Sequence, residues 1–337
     1  MSVTIKDIAK RIGKSVTTVS RALNNFDDVS AETKDLVQRT ANEMGYVPNT
    51  LAQRLQKQSA DTIGLVIPIF GPRFSDPFFS ELLAGIGNKA AELGYDLLVS
   101  TRPPDEREML TYRQMVEGRR VDGFIVVRTR RQDARLDYLR GVKFPFVSFG
   151  RVEGEFDFPY VDEDGYLGMR LVAEHLVKRG HTRIACIVPN LDLMFAHYRL
   201  EGLRAGLAQH GIELKEEYIR SGNLTQRDGF EQTVSLLSLP EPPTAIAAGN
   251  DLMALGAMSA AQERGLVVGK DIAITGFDDI PLAEHAQPPL TTVNQPIYLI
   301  GNMICEMLIG IISGKELEHS QILLEPSLVI RQSCGSG

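Results

Sequence analysis

Apolar positions in the first 45 residues recur at helical spacing, in three short segments. Ile5, Ile8, Ala9 and Ile12 fall at i, i+3, i+4 and i+7, with Thr4 placed as an N-cap and Gly13 as the stop. Ser15 then opens a second helix in which Val19, Ala22 and Leu23 face inward while Val16, Thr17, Ser20 and Arg21 face out. A third begins at Ser30, carries Val37, Thr40, Ala41 and Met44 on one stripe, and ends at Gly45. Helices this short share one small core. The first two, joined by a tight turn, predict a helix-turn-helix whose second helix presents a polar face suited to a groove.

From Thr62 the pattern changes. The apolar runs IGLVIP, YDLLVS, DGFIVV, FPFVSF, RIACIV, AIAAG and IAITGF alternate with helical stretches such as FFSELLAGIGNKAAELG and HYRLEGLRAGLAQHG. That alternation predicts parallel sheets wrapped by helices. Residues 62–99 and 183–214 follow the same plan, so two similar lobes are expected. The fold class expected is therefore α/β: a small all-α head and a two-lobed body with parallel sheets. Open α/β lobes bind ligands outside the carboxyl ends of their strands, which makes the loops after these runs the expected cleft lining. Arg102 and Arg128 each follow a predicted strand.

Charge sharpens the division between head and body. The chain carries a net −7, yet residues 1–60 hold 9 Lys and Arg against 6 Asp and Glu, a balance of +3 that leaves −10 on the rest. A basic head before an acidic body points to nucleic acid as the head's partner. On that reading Arg21 donates two hydrogen bonds to a guanine, Thr17 reaches a base edge or thymine methyl, and Val16 contacts such a methyl. Thr4, Ser15 and Ser20 would fix register on phosphates, and Asn24 closes the same face. Periodicity alone also permits an ordinary three-helix cap with a solvated face.

The remaining chemistry is sparse. Cys186, Cys305 and Cys334 lie far apart, which predicts reduced thiols rather than a disulfide framework or zinc site. Six scattered histidines form no metal or triad spacing, and no phosphate-loop or nucleophile-elbow pattern occurs. Neither catalysis nor a cofactor is expected. No apolar run approaches the roughly 18 residues of a membrane span, and the opening MSVTIKDIAK is unlike a signal peptide, so a cytoplasmic protein with no membrane partner is expected.

The stretch VTIKDIAKRIGKSVTTVSRALNN followed by VSAETKDLVQRTANEMGYVPNTLAQRL resembles the lactose-repressor (LacI/GalR) family, with the T-I-x-D-I-A opening, T-V-S-R core, V-S-x-x-T stretch and G-Y-x-P-N exit in register. Lys14 departs from it, standing where an apolar residue is frequent. The resemblance implies that the segment after Pro48 becomes helical on operator DNA, with Asn49, Ala52 and Leu55 at the minor groove and Leu55 as the wedge. Gln53 stands where relatives frequently carry arginine. It also implies a periplasmic-binding-protein-like body crossed three times, near residues 162, 291 and 323. The expected divisions are then 1–47 for the head, 48–60 for the hinge, 61–161 with 292–322 for one lobe, and 162–291 with 323–333 for the other.

By the same resemblance Phe79, with Phe78 beside it, would stack on the effector, and Arg199, Asn250 and Asp278 would grip its polar edge. Taken by themselves, Phe79 also fits a buried helix start, Asp278 a turn and Arg199 a surface charge. At Gly150, where some relatives have a polar contact, either a larger ligand or Arg151 fills the place. Operator affinity set by a small molecule, a sugar or alternatively a corepressor such as a purine, is the implied function. A homodimer is expected, since two heads read a pseudo-palindrome and the SCGSG tail is too short for tetramerising heptads.

Overall fold

The computed structural model describes residues 3–46, 59–69, 76–154 and 157–335, so Asn49, Ala52, Gln53 and Leu55 lie outside the described residues. The chain divides into two compact units, Met1–Ser59 and Ala60–Gly337.

The first unit holds α1 (Ile5–Ile12), α2 (Val16–Leu23) and α3 (Ala31–Met44). The Oγ atoms of Ser15 and Ser30 accept the N–H groups of Thr18 at 3.0 Å and Thr33 at 3.3 Å, satisfying donors that a helix start leaves open. At α1 the Thr4 N–H donates to the Asp7 carboxylate at 2.9 Å, and the Thr4 hydroxyl donates to it as well. Those bonds hold the Asp7 carboxyl below its usual range. Gly13 and Gly45 leave their helices at φ 66°, a left-handed turn that a side chain would strain. Ile8, Ala9, Val19, Ala22, Val37 and Ala41 form the core between the three helices.

The second unit contains two six-stranded sheets. One lobe is built from β1 (Thr62–Pro68), α4 (Pro77–Glu92), β2 (Asp96–Arg102), α5 (Glu106–Glu117), β3 (Gly123–Val126), α6 (Ala134–Gly141), β4 (Phe146–Phe149) and β5 (Tyr160–Glu163). The other takes α7 (Gly165–Lys178), β6 (Ile184–Pro189), α8 (Met194–Ala208), β7 (Ile219–Gly222), α9 (Gln226–Leu236), β8 (Ala245–Ala248), α10 (Asp251–Glu263), β9 (Ala273–Asp278), α11 (Pro281–His285) and β10 (Thr291–Asn294). The chain returns to the first lobe for α12 (Ile297–Ile312) and β11 (Gln321–Leu324), then ends in the second with β12 (Ser327–Val329).

The strand orders are β11-β5-β4-β3-β1-β2 and β12-β10-β9-β8-β6-β7. Every pairing is parallel except β10 with β12. Helices on both faces bury β1, β6, β8 and β9 along their whole length, which is why these read as unbroken apolar runs. In the first lobe α4 and α12 approach so closely that a Cβ on Gly85 would stand 2.3 Å from the Tyr298 carbonyl oxygen. Glycine is required there by backbone contact.

The lobe boundaries fall slightly later than expected. Glu163 ends a first-lobe strand, β10 through Asn294 belongs to the second lobe, and β11 runs to Leu324 before the chain crosses back. The physical reason is that ladder pairing carries each strand beyond its apolar stretch. Thr291 to Asn294, for example, pairs residue by residue with Thr275 to Asp278.

Candidate functional site

Both sheets direct their carboxyl-terminal strand ends into a shared cleft. From the first lobe come the start of α4 (Asp76, Phe78, Phe79), the turn after β3 (Val127–Thr129), the end of β4 (Phe149, Gly150) and the end of β5 (Asp162, Glu163). From the second come Phe195, Tyr198 and Arg199 of α8, Leu224 after β7, Asn250 before α10, and Asp278 closing β9; Gln295 lies on a crossing segment.

Arg199 is the central cation. It is 6% exposed, and its guanidinium lies 3.5 Å from the centre of the Phe277 ring and 4.9 Å from that of Phe195. Its two terminal nitrogens donate to the Gly249 carbonyl and to Asp278 Oδ1 at 3.4 Å. Asp278 also accepts from Gln295 Nε2 at 2.7 Å. Burial, only partly offset by Arg199, pushes the Asp278 carboxyl up to about 7. The body thus keeps an ionisable acceptor at a strand end with its titration near neutrality.

Asn250 borders the cleft, but both ends of its amide are engaged: Oδ1 accepts the Met253 N–H at 3.0 Å as the N-cap of α10, and Nδ2 donates to the Leu224 carbonyl at 3.4 Å. On the opposite wall Arg128 donates to the Pro68 carbonyl at 2.9 Å and to Asp76 Oδ2 at 3.2 Å. Asp76 in turn caps α4 by accepting from the Phe78 N–H. Arg128, Leu224 and Asp278 adopt φ values of 51°, 64° and 114°. Left-handed backbone at non-glycine residues costs on the order of 1–3 kcal/mol each, and such strain gathers where it positions side chains for use.

The two adjacent aromatics at the start of α4 differ in exposure. Phe79 borders the cleft but is fully buried in the first-lobe core, its ring under Arg128 at 4.8 Å. Phe78, half-buried, stacks on Phe149 at 5.8 Å with 17° between the rings. The accessible aromatic surface is therefore Phe78 with Phe149, because the first turn of α4 rotates consecutive side chains about 100° apart. A Cβ on Gly150 would stand 2.5 Å from Thr129 Oγ1 at a backbone φ of 112°, so a side chain there would be strained and would have to displace Thr129. Arg151 instead donates to Asp162 Oδ2 at 2.7 Å and lies 4.1 Å over the Tyr198 ring. Arg102 donates to Thr111 and does not border the cleft.

Sequence reasoning missed Asp76, Asp162, Glu163, Tyr198 and Gln295, all of which border the cleft. The signal available was position: each lies at or just past a strand end or on the first turns of the following helix. It also missed a latch. The Arg131 N–H donates to the Asp192 carbonyl at 2.8 Å and the Met194 N–H to the Thr129 carbonyl at 2.9 Å, forming an antiparallel bridge between Arg130 and Leu193. Backbone bonds thus join the loop after β3 to the loop after β6, tying the two lobes together beside the cleft.

On the head, Val16 and Thr17 are exposed and Ser20, Arg21 and Asn24 half-buried, while Thr4 and Ser15 are exposed at the helix starts. Arg21 Nε donates to Asp28 Oδ1 at 3.0 Å and its guanidinium lies 4.8 Å over Phe26. An exposed pair of this kind contributes at most about 1 kcal/mol and is readily exchanged for a bidentate partner. Asn24 Nδ2 donates to the Ser20 carbonyl within the helix end. The face is polar, projecting and anchored by its caps.

Residues 4–49 match the description "Bacterial regulatory proteins, lacI family", and residues 173–334 match "Periplasmic binding protein-like domain". The chain is 34% identical over 331 residues to the HTH-type transcriptional repressor CytR of Escherichia coli K12, covering 98% of this chain and 96% of that repressor. A lac repressor dimer bound to operator and the anti-inducer ONPF superposes with a TM-score of 0.88 at 31% identity, covering all of both chains. The transcriptional regulator CelR in complex with cellobiose superposes with a TM-score of 0.76 at 32% identity, covering 98% of this chain and 99% of that one.

Proposed function

Because this chain belongs to the lacI family of bacterial regulatory proteins, we propose that it is a homodimeric repressor whose grip on operator DNA is set by a small sugar held between its two lobes. The observation that carries the reading is the cleft itself: a buried arginine on α8 and an acceptor carboxyl at the end of β9, lining one cleft with a stacked aromatic pair. Planar polar groups grip hydroxyls, and aromatic faces cover the C–H face of a sugar ring. The lac repressor dimer bound to operator and the CelR–cellobiose complex support the two halves of the reading. Effector closes or opens the lobes, changes the spacing of the two hinges, and so changes their order on DNA. The proposed hinge contacts are Asn49, Ala52, Gln53 and Leu55.

The head reads sequence through Val16, Thr17, Ser20 and Arg21, with Thr4, Ser15 and Asn24 at its margins. Arg21→Ala is expected to cost about 1–3 kcal/mol on a site selected from random duplexes and to relax preference at one base pair. Gel-shift titration against single-base variants checks this. An equal loss on every duplex would assign Arg21 to phosphate rather than base.

A pH series tests the cleft. Asp278 faces Arg199, Gln295, Asp76, Glu163 and Asp251, and its folded-state carboxyl titrates near 7, above the ordinary carboxylate range. Protonation of Asp278 therefore stabilises the effector-free fold as pH falls through 7, a contribution lost again as pH rises. An effector that donates hydrogen bonds to Asp278 is held more tightly by the ionised form, so its affinity is expected to fall by up to about tenfold from pH 8 to pH 6. Unfolding midpoints and calorimetric affinities are expected to run in opposite directions across this window. Affinity that is flat or rises on acidification removes Asp278 from ligand contact.

A further inference from the structure

Three carboxylates of the cleft have a guanidinium each: Asp76 with Arg128, Asp162 with Arg151, and Asp278 with Arg199. Glu163 is a fourth carboxyl of the cleft lining, and among the described residues it forms no ion pair. It is 4% exposed, and neither of its carboxylate oxygens has a hydrogen-bond partner among the described residues. Buried polar groups are otherwise paired almost without exception, so two orphaned acceptors in a ligand cleft point to what the ligand brings.

We propose that Glu163 is the specificity-determining acceptor of the cleft, taking hydrogen bonds from hydroxyl groups of an uncharged sugar and excluding sugars that carry a phosphate or carboxylate. The inference rests on the sugar reading above and narrows it to one charge class. Its physical basis is the charge balance around the site. Arg128, Arg151 and Arg199 are each already charge-balanced by a carboxylate, and the donors left without a partner there, Arg151 Nη2 and Arg199 Nε, belong to those balanced pairs, so an anionic ligand reaching them adds a surplus negative charge close to Glu163. Burial, with the neighbouring Asp278, Asp162 and Asp164, already holds the Glu163 carboxyl well above its ordinary range, Arg199 offsetting only part of this. Among the described residues lining the cleft, a further negative charge meets no cation that lacks a carboxylate partner. Hydroxyl donors, by contrast, satisfy both oxygens without adding charge. Specificity then comes from a group left unsatisfied or opposed by the wrong ligand.

Isothermal titration of the full-length protein tests this with paired probes: glucose and glucose 6-phosphate, galactose and galacturonate, ribose and ribose 5-phosphate, cellobiose and cellobiose 6'-phosphate. The neutral member of the best-binding pair is expected to bind at least 100-fold more tightly than its anionic counterpart. E163Q preserves shape and offers an amide donor to the anion, so the gap is expected to narrow at least tenfold. A residue that merely supported the fold would weaken both members equally. An anionic member that binds as tightly as its neutral partner overturns the proposal while leaving the sugar reading standing, as does a gap that E163Q leaves unchanged. Failure of every pair to bind overturns both readings together. The wild-type comparison decides even where E163Q unfolds.

Discussion

Arg199→Leu is expected to weaken effector binding by about 2–5 kcal/mol, roughly 30-fold to several-thousand-fold, and to leave operator binding without effector intact. The size follows from what the side chain does. Its guanidinium is sandwiched between Phe277 and Phe195 and donates to the Gly249 carbonyl and Asp278. Leucine keeps the apolar packing but strands a carboxyl whose titration is already raised by burial. Asp278 then takes a proton and ceases to be a charged acceptor. The variant is checked by effector titration of a bound, labelled duplex, with thermal unfolding as the control for folding. A dose response unchanged from wild type would place the effector elsewhere.

Arg135→Met lowers stability by about 3–5 kcal/mol, the cost of removing one partner from a buried ionic cluster. Arg135 is fully buried on α6 and donates to Asp133 at 2.6 Å, to Glu108 of α5 at 2.8 Å, and to the carbonyls of Val127 at 3.2 Å and Arg128 at 3.0 Å. Arg130 completes the cluster, its backbone N–H bonded to Asp133 and its guanidinium to Glu108. These bonds fix the turn that carries Arg128 into one wall of the cleft and holds Thr129 and Arg131 against the other lobe. Two consequences are therefore expected together: a fall in the denaturation midpoint and weaker effector binding, with the head's intrinsic DNA contacts unaffected. Adding Asp133→Asn should recover part of the stability, because Asp133 is the carboxylate left without a guanidinium, while Glu108 keeps Arg130. A stability loss with unchanged effector affinity would separate the cluster from the latch.

Much of this architecture was legible because parallel strands covered on both faces must be continuously apolar, as in TIGLVIP and IACIVP. The head was legible from caps and periodicity at Ser15, Ser30, Gly13 and Gly45. The strands β5, β7, β10 and β11 did not announce themselves, since residues such as Tyr160–Glu163 and Thr291–Asn294 are held by ladder pairing and not by apolar content. Within the site, Asp278 follows from strand-end position combined with the family resemblance, and Arg199, on α8, from the resemblance alone. Phe78 and Phe79 could not be ranked, because neighbouring residues on a helix start differ only by rotation. The cluster of Glu108, Asp133 and Arg135 was not legible, because the partners of Glu108 lie 22 and 27 residues away and meet it only in the fold. Glu163, inside the acidic run VDEDG, reads as a loop, and only its burial separates it from its neighbours.

The most direct measurement is the affinity of the full-length protein for a duplex selected from random sequence, taken by fluorescence anisotropy with and without a sugar that calorimetry shows to bind. The expected result is a 5- to 150-fold shift, the range of an ordinary coupling of about 1–3 kcal/mol, lost in Arg199→Leu. Identical duplex affinity at saturating and zero sugar would contradict a cleft that controls the head.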